Sequence, residues 1–147
     1  MERLDYPPVW LVAFLALAWA QSALLPTPWA GDWAATAGGV IALIGAGLML
    51  AAIPPFLRAR TTVVPHKMPS ALVTSGIFRF SRNPIYLGDV LILAGLAIRW
   101  QAWPMLLLVP LFVMILTRRF IEPEEARLRA AFGRDFEAWA ARTRRWI

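Results

Sequence analysis

The chain has 147 residues, of which 59% are hydrophobic and 16% charged, and its formal net charge is +6. It contains no cysteine, which excludes disulfides, thiolate nucleophiles, Fe–S clusters and the usual zinc sites. A single histidine, His66, excludes a multi-histidine metal centre, so we predict no metal site. The apolar residues are grouped in long blocks, which is typical of a membrane protein with one domain.

Four apolar blocks without Lys or Arg predict an all-α, polytopic membrane protein with about four transmembrane helices. They cover residues 9–25, 34–53, 85–98 and 105–117. About 20 residues are needed to cross a 30 Å hydrocarbon core. The first two blocks therefore fit well, whereas the last two are short and either cross with little tilt or form a hairpin that crosses incompletely. A cleaved signal peptide is not expected, because Glu2 and Asp5 offset the positive charge of Arg3.

The distribution of charge predicts the orientation. If all four blocks cross, the N-terminus, the loop 54–84 and the tail from residue 118 share one side, and of the 15 basic residues only Arg99 lies on the other. The opposite loops contain or adjoin Trp29, Trp33, Trp100 and Trp103. By the positive-inside rule, both termini are predicted to be cytoplasmic, in a multi-pass protein of a bacterial inner membrane. The basic charge is thus assigned to the membrane surface, and no nucleic-acid partner is expected.

Proline and glycine residues predict where the helices end. Pro54 and Pro55 are expected to end the second block, and Pro110 is expected to kink the fourth. In the tail, Pro123 suits a first helical turn, and Gly133 is expected to divide an amphipathic helix into two pieces.

Two stretches contain the residues that are best suited to bind a ligand or to catalyse a reaction. The first covers residues 72–88 and reads Leu-Val-Thr-Ser-Gly-Ile-Phe-Arg-Phe-Ser-Arg-Asn-Pro-Ile-Tyr-Leu-Gly. The second is the tail pattern Glu124-Glu125-x-x-Leu128-x-x-x-Phe132-Gly133-x-x-Phe136-x-x-Trp139. Together they closely resemble the signature of the isoprenylcysteine carboxyl methyltransferase family and its phospholipid methyltransferase relatives. The likeness covers most of residues 61–147, while the first two apolar blocks match only as generic helices.

The resemblance implies a membrane-embedded methyltransferase that takes S-adenosylmethionine from the cytosol and a lipophilic small-molecule acceptor from the lipid bilayer. It also implies a single domain over residues 1–147, with an N-terminal transmembrane hairpin (1–57) and a cofactor-binding catalytic core (58–147) that includes the cytoplasmic loop and the C-terminal amphipathic helices. The cofactor pocket would be lined by Leu72, Val73, Phe78, Asn83, Pro84, Ile85, Tyr86 and, from the tail, Glu124. No oligomeric state is implied.

Residue chemistry agrees with such a cofactor site. S-adenosylmethionine combines a sulfonium cation, a zwitterionic amino-acid end, a ribose diol and a flat adenine. Arg82 is a candidate to bind the α-carboxylate, and either Glu124 or Glu125 to accept hydrogen bonds from the ribose diol or the α-ammonium. Phe78 and Tyr86 are candidates for the walls around the adenine.

Methyl transfer requires alignment and a dry site rather than an enzyme nucleophile, and Arg82 and Tyr86 are predicted to contribute to it. An anionic acceptor, a carboxylate or a thiolate, needs only an arginine to hold it, for which Arg119 is the candidate. An amine acceptor needs a base, for which His66 is the candidate, unless it is simply an exposed loop residue. Asp89, one helical turn beyond Tyr86, either lines the site or lies near enough to the interface to be solvated.

This chain differs from the eukaryotic enzymes of the family at three positions. The eukaryotic enzymes of the family have Arg-His-Pro where this chain has Arg82-Asn83-Pro84, a tyrosine in place of Phe78 and a histidine in place of Ser70. The isoprenylcysteine acceptor therefore does not carry over with the cofactor site.

The alternative from another class is a small four-helix transporter or a structural membrane subunit, which would need an acid inside the membrane and no functional tail.

Overall fold

A computed structural model describes residues 6–60 and 70–147 of the chain. Within these ranges the regular secondary structure is entirely helical, which confirms the all-α prediction. The helices are α1 (Pro7–Leu24), α2 (Asp32–Ala59), a 3-10 turn (Gly76–Arg79), α3 (Pro84–Arg99), α4 (Trp103–Leu106), α5 (Val109–Leu116), a π-helical segment (Thr117–Ile121), α6 (Glu122–Phe132) and α7 (Arg134–Arg142).

Three helical stretches are long and apolar enough to cross a membrane: α1, α2 and the run from α4 to α6, Trp103–Phe132. Helix α3 has only 16 residues, or about 24 Å at 1.5 Å per residue, and does not reach that length. The prediction of about four transmembrane helices is therefore confirmed for three and not for α3. The fourth apolar block is not short after all, because its helix continues into the charged tail.

Helix α3 is the central helix of the described structure. It packs against α1, α2 and α5, and from Ser81 to Ile98 every residue is buried or half-buried. Its neighbours, by contrast, expose large apolar side chains, and on α2 these are Trp33, Val40, Leu43, Ile44, Leu50, Ile53 and Leu57. Apolar faces of this extent are expected of a surface that meets lipid. The central helix is thereby shielded by protein, and its short length leaves little of its backbone exposed.

Paired glycines bring α2 and α3 together. The two helices are antiparallel, with Gly38 opposite Gly95 and Gly45 opposite Gly88. A Cβ atom added to Gly45 would lie 2.6 Å from the Gly88 carbonyl oxygen, and one added to Gly88 would lie 2.7 Å from the Gly45 carbonyl oxygen. The backbones therefore touch directly, as small residues allow in membrane helices.

The predicted helix boundaries are mostly confirmed. Pro123 lies in the first turn of α6, and Gly133, with a φ of +47°, separates α6 from α7. Pro110 lies in the first turn of α5, just after the break that separates α5 from α4. The prediction for Pro54 and Pro55 is wrong, because α2 continues through both to Ala59. A proline removes one hydrogen-bond donor but does not stop a helix that is held on another side by tertiary contacts, and Pro55 is buried here.

The glycine contacts generate a prediction with an internal control. Gly45→Ala should destabilise the protein by about 1–3 kcal/mol, because its new methyl group meets backbone of α3 that cannot rotate away. Gly47→Ala, two residues along the same helix, should be neutral or slightly stabilising, since nothing lies within 4 Å of its added Cβ. Thermal unfolding of both variants in detergent measures the difference. Equal melting temperatures would contradict the close contact.

Candidate active site

The tail folds back onto the signature segment through three hydrogen bonds. The Arg82 amide donates to the Arg144 carbonyl oxygen (2.9 Å), and the Asn83 side-chain amide donates to the Arg145 carbonyl oxygen (3.0 Å). The indole N–H of Trp139 donates to the Phe78 carbonyl oxygen (3.1 Å). An apolar cluster of Ala52, Val73, Phe78, Phe136 and Trp139 lies beneath. Two motifs that are distant in sequence thus form one structural unit.

A buried carboxylate holds this unit together. Glu125 accepts two hydrogen bonds from the Arg145 guanidinium, at 3.1 and 2.7 Å, and lies 3.4 Å from Nη1 of Arg82. Glu125 is only 7% exposed. Its hydrogen bonds raise the pKa of Arg145, because they favour the charged form of the guanidinium. Glu125 therefore connects the end of the tail to Arg82 of the signature. We call the group of Glu125, Arg82 and Arg145 the Glu125 clamp.

The main cavity of the candidate site lies beside this clamp and has a volume of about 290 Å³. A larger and more polar cavity, of about 430 Å³, is lined by Thr74, Ser75, Arg79, Trp139, Arg142 and Thr143. The walls of the main cavity come from the N-terminal end of α1, from α2, from the 3-10 turn, from the start of α3 and from α6. The lining residues are Tyr6, Pro7, Pro8, Met49, Phe56, Phe78, Arg82, Asn83, Pro84, Ile85, Tyr86, Asp89 and Glu124. Apolar walls with a few polar groups are typical of a ligand site.

A second, smaller cavity of about 50 Å³ adjoins the main one. The two share four lining residues, Phe56, Phe78, Arg82 and Glu124. The other walls of the smaller cavity are Ala71, Leu72, Val73, Leu128 and Trp139. Together the two form one bipartite site, with a narrow apolar part under the signature and a wider part between the helices.

The polar groups of the site fall into two kinds. The Tyr86 hydroxyl donates a hydrogen bond to Oε2 of Glu124 at 3.1 Å, which fixes both side chains. By contrast, Nε of Arg82 and Oδ1 of Asp89 are buried and have no hydrogen-bond partner among the described residues. A buried polar atom costs free energy when it is unsatisfied, so each is a candidate to bind a ligand.

A sequence model of phospholipid methyltransferases matches residues 33–135, which include α2, all of the signature segment and the start of the tail motif. The chain belongs to this family. As a phospholipid methyltransferase family member with helices fit to cross a membrane, it is a membrane methyltransferase. The resemblance found from the two motifs is confirmed. No curated protein and no solved structure matches the chain.

The structure of this family member brings most of the predicted cofactor residues together. Phe78, Arg82, Asn83, Pro84, Ile85, Tyr86 and Glu124 line the main cavity, and Leu72 and Val73 line the smaller one. Glu125 lines neither cavity, because its carboxylate is turned to the arginines of the clamp. Of the two glutamates left open by the sequence, Glu124 is thus the one placed at the site.

The predicted catalytic residues outside the signature are placed differently. Arg119 is exposed, and its guanidinium lies 5.3 Å from the ring centre of Trp10. It is not among the residues that line either cavity. His66 falls outside the described residues.

The sequence motifs identified no individual residue of the N-terminal half that lines the site. Pro7 and Pro8 of α1, and Met49 and Phe56 of α2, line the main cavity. These residue types occur throughout apolar helices, so no motif signals them. Trp139 was part of the tail motif, but the sequence did not show that it lines the smaller cavity, where its indole is held by the hydrogen bond to the Phe78 carbonyl oxygen.

The clamp around Glu125 leads to a stability prediction. Glu125→Ala should destabilise the protein by about 3 kcal/mol, because it leaves Arg82 and Arg145 without their carboxylate partner. Glu122→Ala is the matched control, since this 53% exposed carboxylate lies 4.0 Å from the same Arg145 and should contribute less than about 1 kcal/mol. Denaturant unfolding in mixed micelles gives both values. The clamp is not important for stability if the two variants lose the same amount.

Proposed function

We propose that this membrane methyltransferase uses S-adenosylmethionine and transfers its methyl group to a lipophilic or membrane-partitioning acceptor at the cytoplasmic membrane interface. One observation carries the proposal: Arg82 and Tyr86 of the signature and Glu124 of the tail line the same cavity. Glu124 lies 38 positions after Tyr86 in the sequence, and the fold joins the signature and the tail through the Glu125 clamp.

The donor set fits the cofactor. Arg82 offers a buried Nε that lacks a partner among the described residues, suitable for a carboxylate. Glu124 places a carboxylate at both cavities, and this group suits a ribose hydroxyl or an ammonium group. Phe56, Phe78 and Trp139 give the smaller cavity aromatic walls that suit a flat base. When bound, the cofactor would supply an electrophilic methyl group on a sulfonium.

The protein's own contribution is to position groups and exclude water. Arg82 is held by Glu125, and Glu124 is held by Tyr86, so both polar contacts are fixed before a ligand arrives. The aromatic and proline walls leave few alternative partners for water in the main cavity. Such a preorganised, largely apolar site is what a displacement reaction without an enzyme nucleophile requires.

The acceptor side of the cavity is formed by membrane helices. Pro7 and Pro8 belong to α1, and Met49 and Phe56 to α2, which are both candidate membrane spans. A site with such walls favours an acceptor that arrives from the bilayer. We therefore divide the chain as the motifs suggested, into a hairpin over 1–57 and a catalytic core over 58–147, with the hairpin completing the acceptor side.

Topology follows from which segments meet at each end of the helices. Pro7, Arg82 and Glu124 line one cavity, so the start of α1, the signature and the tail lie at the same end. At the other end, the Gln101 side chain bonds to the backbone of Trp29 and Ala30. Because the basic residues collect at the first end, we place both termini in the cytoplasm, as in a bacterial inner membrane protein.

The transporter or structural alternative has less support. It assigns no role to the tail, whereas the tail here supplies Glu124 to the cavity and Glu125 to the clamp. It also leaves the family membership without an explanation.

Cofactor binding tests the proposal directly. Purified protein in detergent should bind S-adenosylmethionine and S-adenosylhomocysteine in a saturable way by calorimetry. Glu124→Gln should weaken binding of both by roughly 10- to 100-fold, the value of a hydrogen bond to a charged group. Glu137→Gln, an exposed carboxylate of α7, should leave binding unchanged. Absence of binding by the wild-type protein would overturn the assignment of the cofactor.

Orientation can be tested because the chain has no cysteine of its own. In intact cells, a membrane-impermeant maleimide should label Asp32→Cys, at the start of α2, and not Ala130→Cys, which is exposed on α6. In inverted vesicles the pattern should reverse. Labelling of both positions from the same side would refute the proposed topology.

A further inference from the structure

One buried acid has no role in the binding scheme above. Asp89 lies on the central helix α3, is 2% exposed and lines the main cavity. Its Oδ1 atom is buried without a hydrogen-bond partner among the described residues. Leaving a carboxylate oxygen unsatisfied in such a place is costly, which indicates that a ligand satisfies it.

The position of Asp89 separates it from the cofactor groups. Arg82 and Glu124 line both cavities, whereas Asp89 lines only the wider one, together with Pro7, Pro8 and Met49 of the membrane helices. Within residues 6–60 and 70–147, the other ionisable groups that face this cavity are Tyr6, Arg82, Tyr86 and Glu124. Of the carboxylates, Glu124 is engaged by Tyr86. Among the described residues, Asp89 is the carboxylate that lines the wider cavity and not the smaller one.

We propose that Asp89 binds the methyl acceptor and takes its proton, so that the enzyme acts on a nucleophile that arrives carrying a proton, an amine or a thiol, and not on a carboxylate. The inference rests on the proposed function of the site. A carboxylate acceptor would bring a second negative charge to a buried acid, which is unfavourable in a site of low dielectric. An N–H or S–H group instead satisfies the free Oδ1 atom.

The step balances without another reagent. As the acceptor nitrogen or sulfur forms its bond to the methyl carbon, the carbon–sulfur bond of the sulfonium breaks, and its electron pair stays on that sulfur. The acceptor proton passes to Asp89 and then to water. Asp89 returns to its starting state once the proton has left.

A different role for Asp89 would be to pair with the sulfonium cation itself. The two roles differ in binding, because S-adenosylhomocysteine has no positive sulfur. If Asp89 paired with the sulfonium, Asp89→Asn would weaken S-adenosylmethionine binding and leave S-adenosylhomocysteine binding intact. If Asp89 serves the acceptor, Asp89→Asn should bind both as the wild-type protein does. Calorimetry on the variant thus also reports that it is folded.

Activity is measured on three acceptors of equal chain length in detergent: dodecylamine, dodecanethiol and dodecanoate. The wild-type protein should methylate the amine or the thiol faster than dodecanoate. Asp89→Asn should lower kcat on that acceptor by about 100-fold at pH 7, the usual contribution of a positioned base. With dodecylamine, the residual rate of the variant should rise nearly tenfold per pH unit, because only the amine that solvent deprotonates can react, up to a pKa of about 10.

The outcomes are separable. Faster transfer to dodecanoate, no transfer to either proton-bearing acceptor, selective loss of S-adenosylmethionine binding by Asp89→Asn, or identical pH profiles of variant and wild type would each overturn the role of Asp89. All four can occur while the wild-type protein still binds cofactor. Failure of the wild-type protein to bind cofactor would instead overturn the proposed function.

Discussion

The structure of the catalytic region depends on the ion pairs of Glu125. This carboxylate lies in the tail, and its partners are Arg145 near the end of the chain and Arg82 in the signature. Burying three charges is costly, so the pairs need not increase stability over apolar residues of the same shape. The ion pairs fix the position of Arg82, because its guanidinium is held by Glu125 on one edge while Arg82 lines the cavity. The tail is thereby a part of the site and not an appendage.

The second constraint is the glycine contact between α2 and α3. Because Gly45 and Gly88 allow the two backbones to touch, α3 sits deep among its neighbours. This close approach places Met49 and Phe56 of α2 in the same cavity as Tyr86 and Asp89 of α3. The glycines thus influence the width of the cavity between α2 and α3.

Some of this arrangement could be predicted from the sequence, and the reason differs for each part. The signature and tail motifs predicted many of the residues that line the two cavities, because such residues follow one another at fixed offsets on short elements. Glu125 could not be separated from its neighbour Glu124, since adjacent residues on a helix point about 100° apart and only tertiary packing shows which one faces the cavity. The path of α2 past Pro54 and Pro55 was missed for the same reason: contacts with other elements decide whether the helix continues.

The length of α3 and the burial of Asp89 are two consequences of one feature. A helix of about 24 Å that faced lipid would thin the bilayer or expose backbone, and an acid on its surface would be costly in hydrocarbon. Enclosed by α1, α2 and α5, α3 meets protein instead of lipid along most of its length. The central position therefore permits a carboxylate at the depth of the cavity. One oxygen of this acid, Oδ1 of Asp89, is buried without a hydrogen-bond partner among the described residues, and in such a place a hydrogen bond from a ligand is stronger than it would be in water.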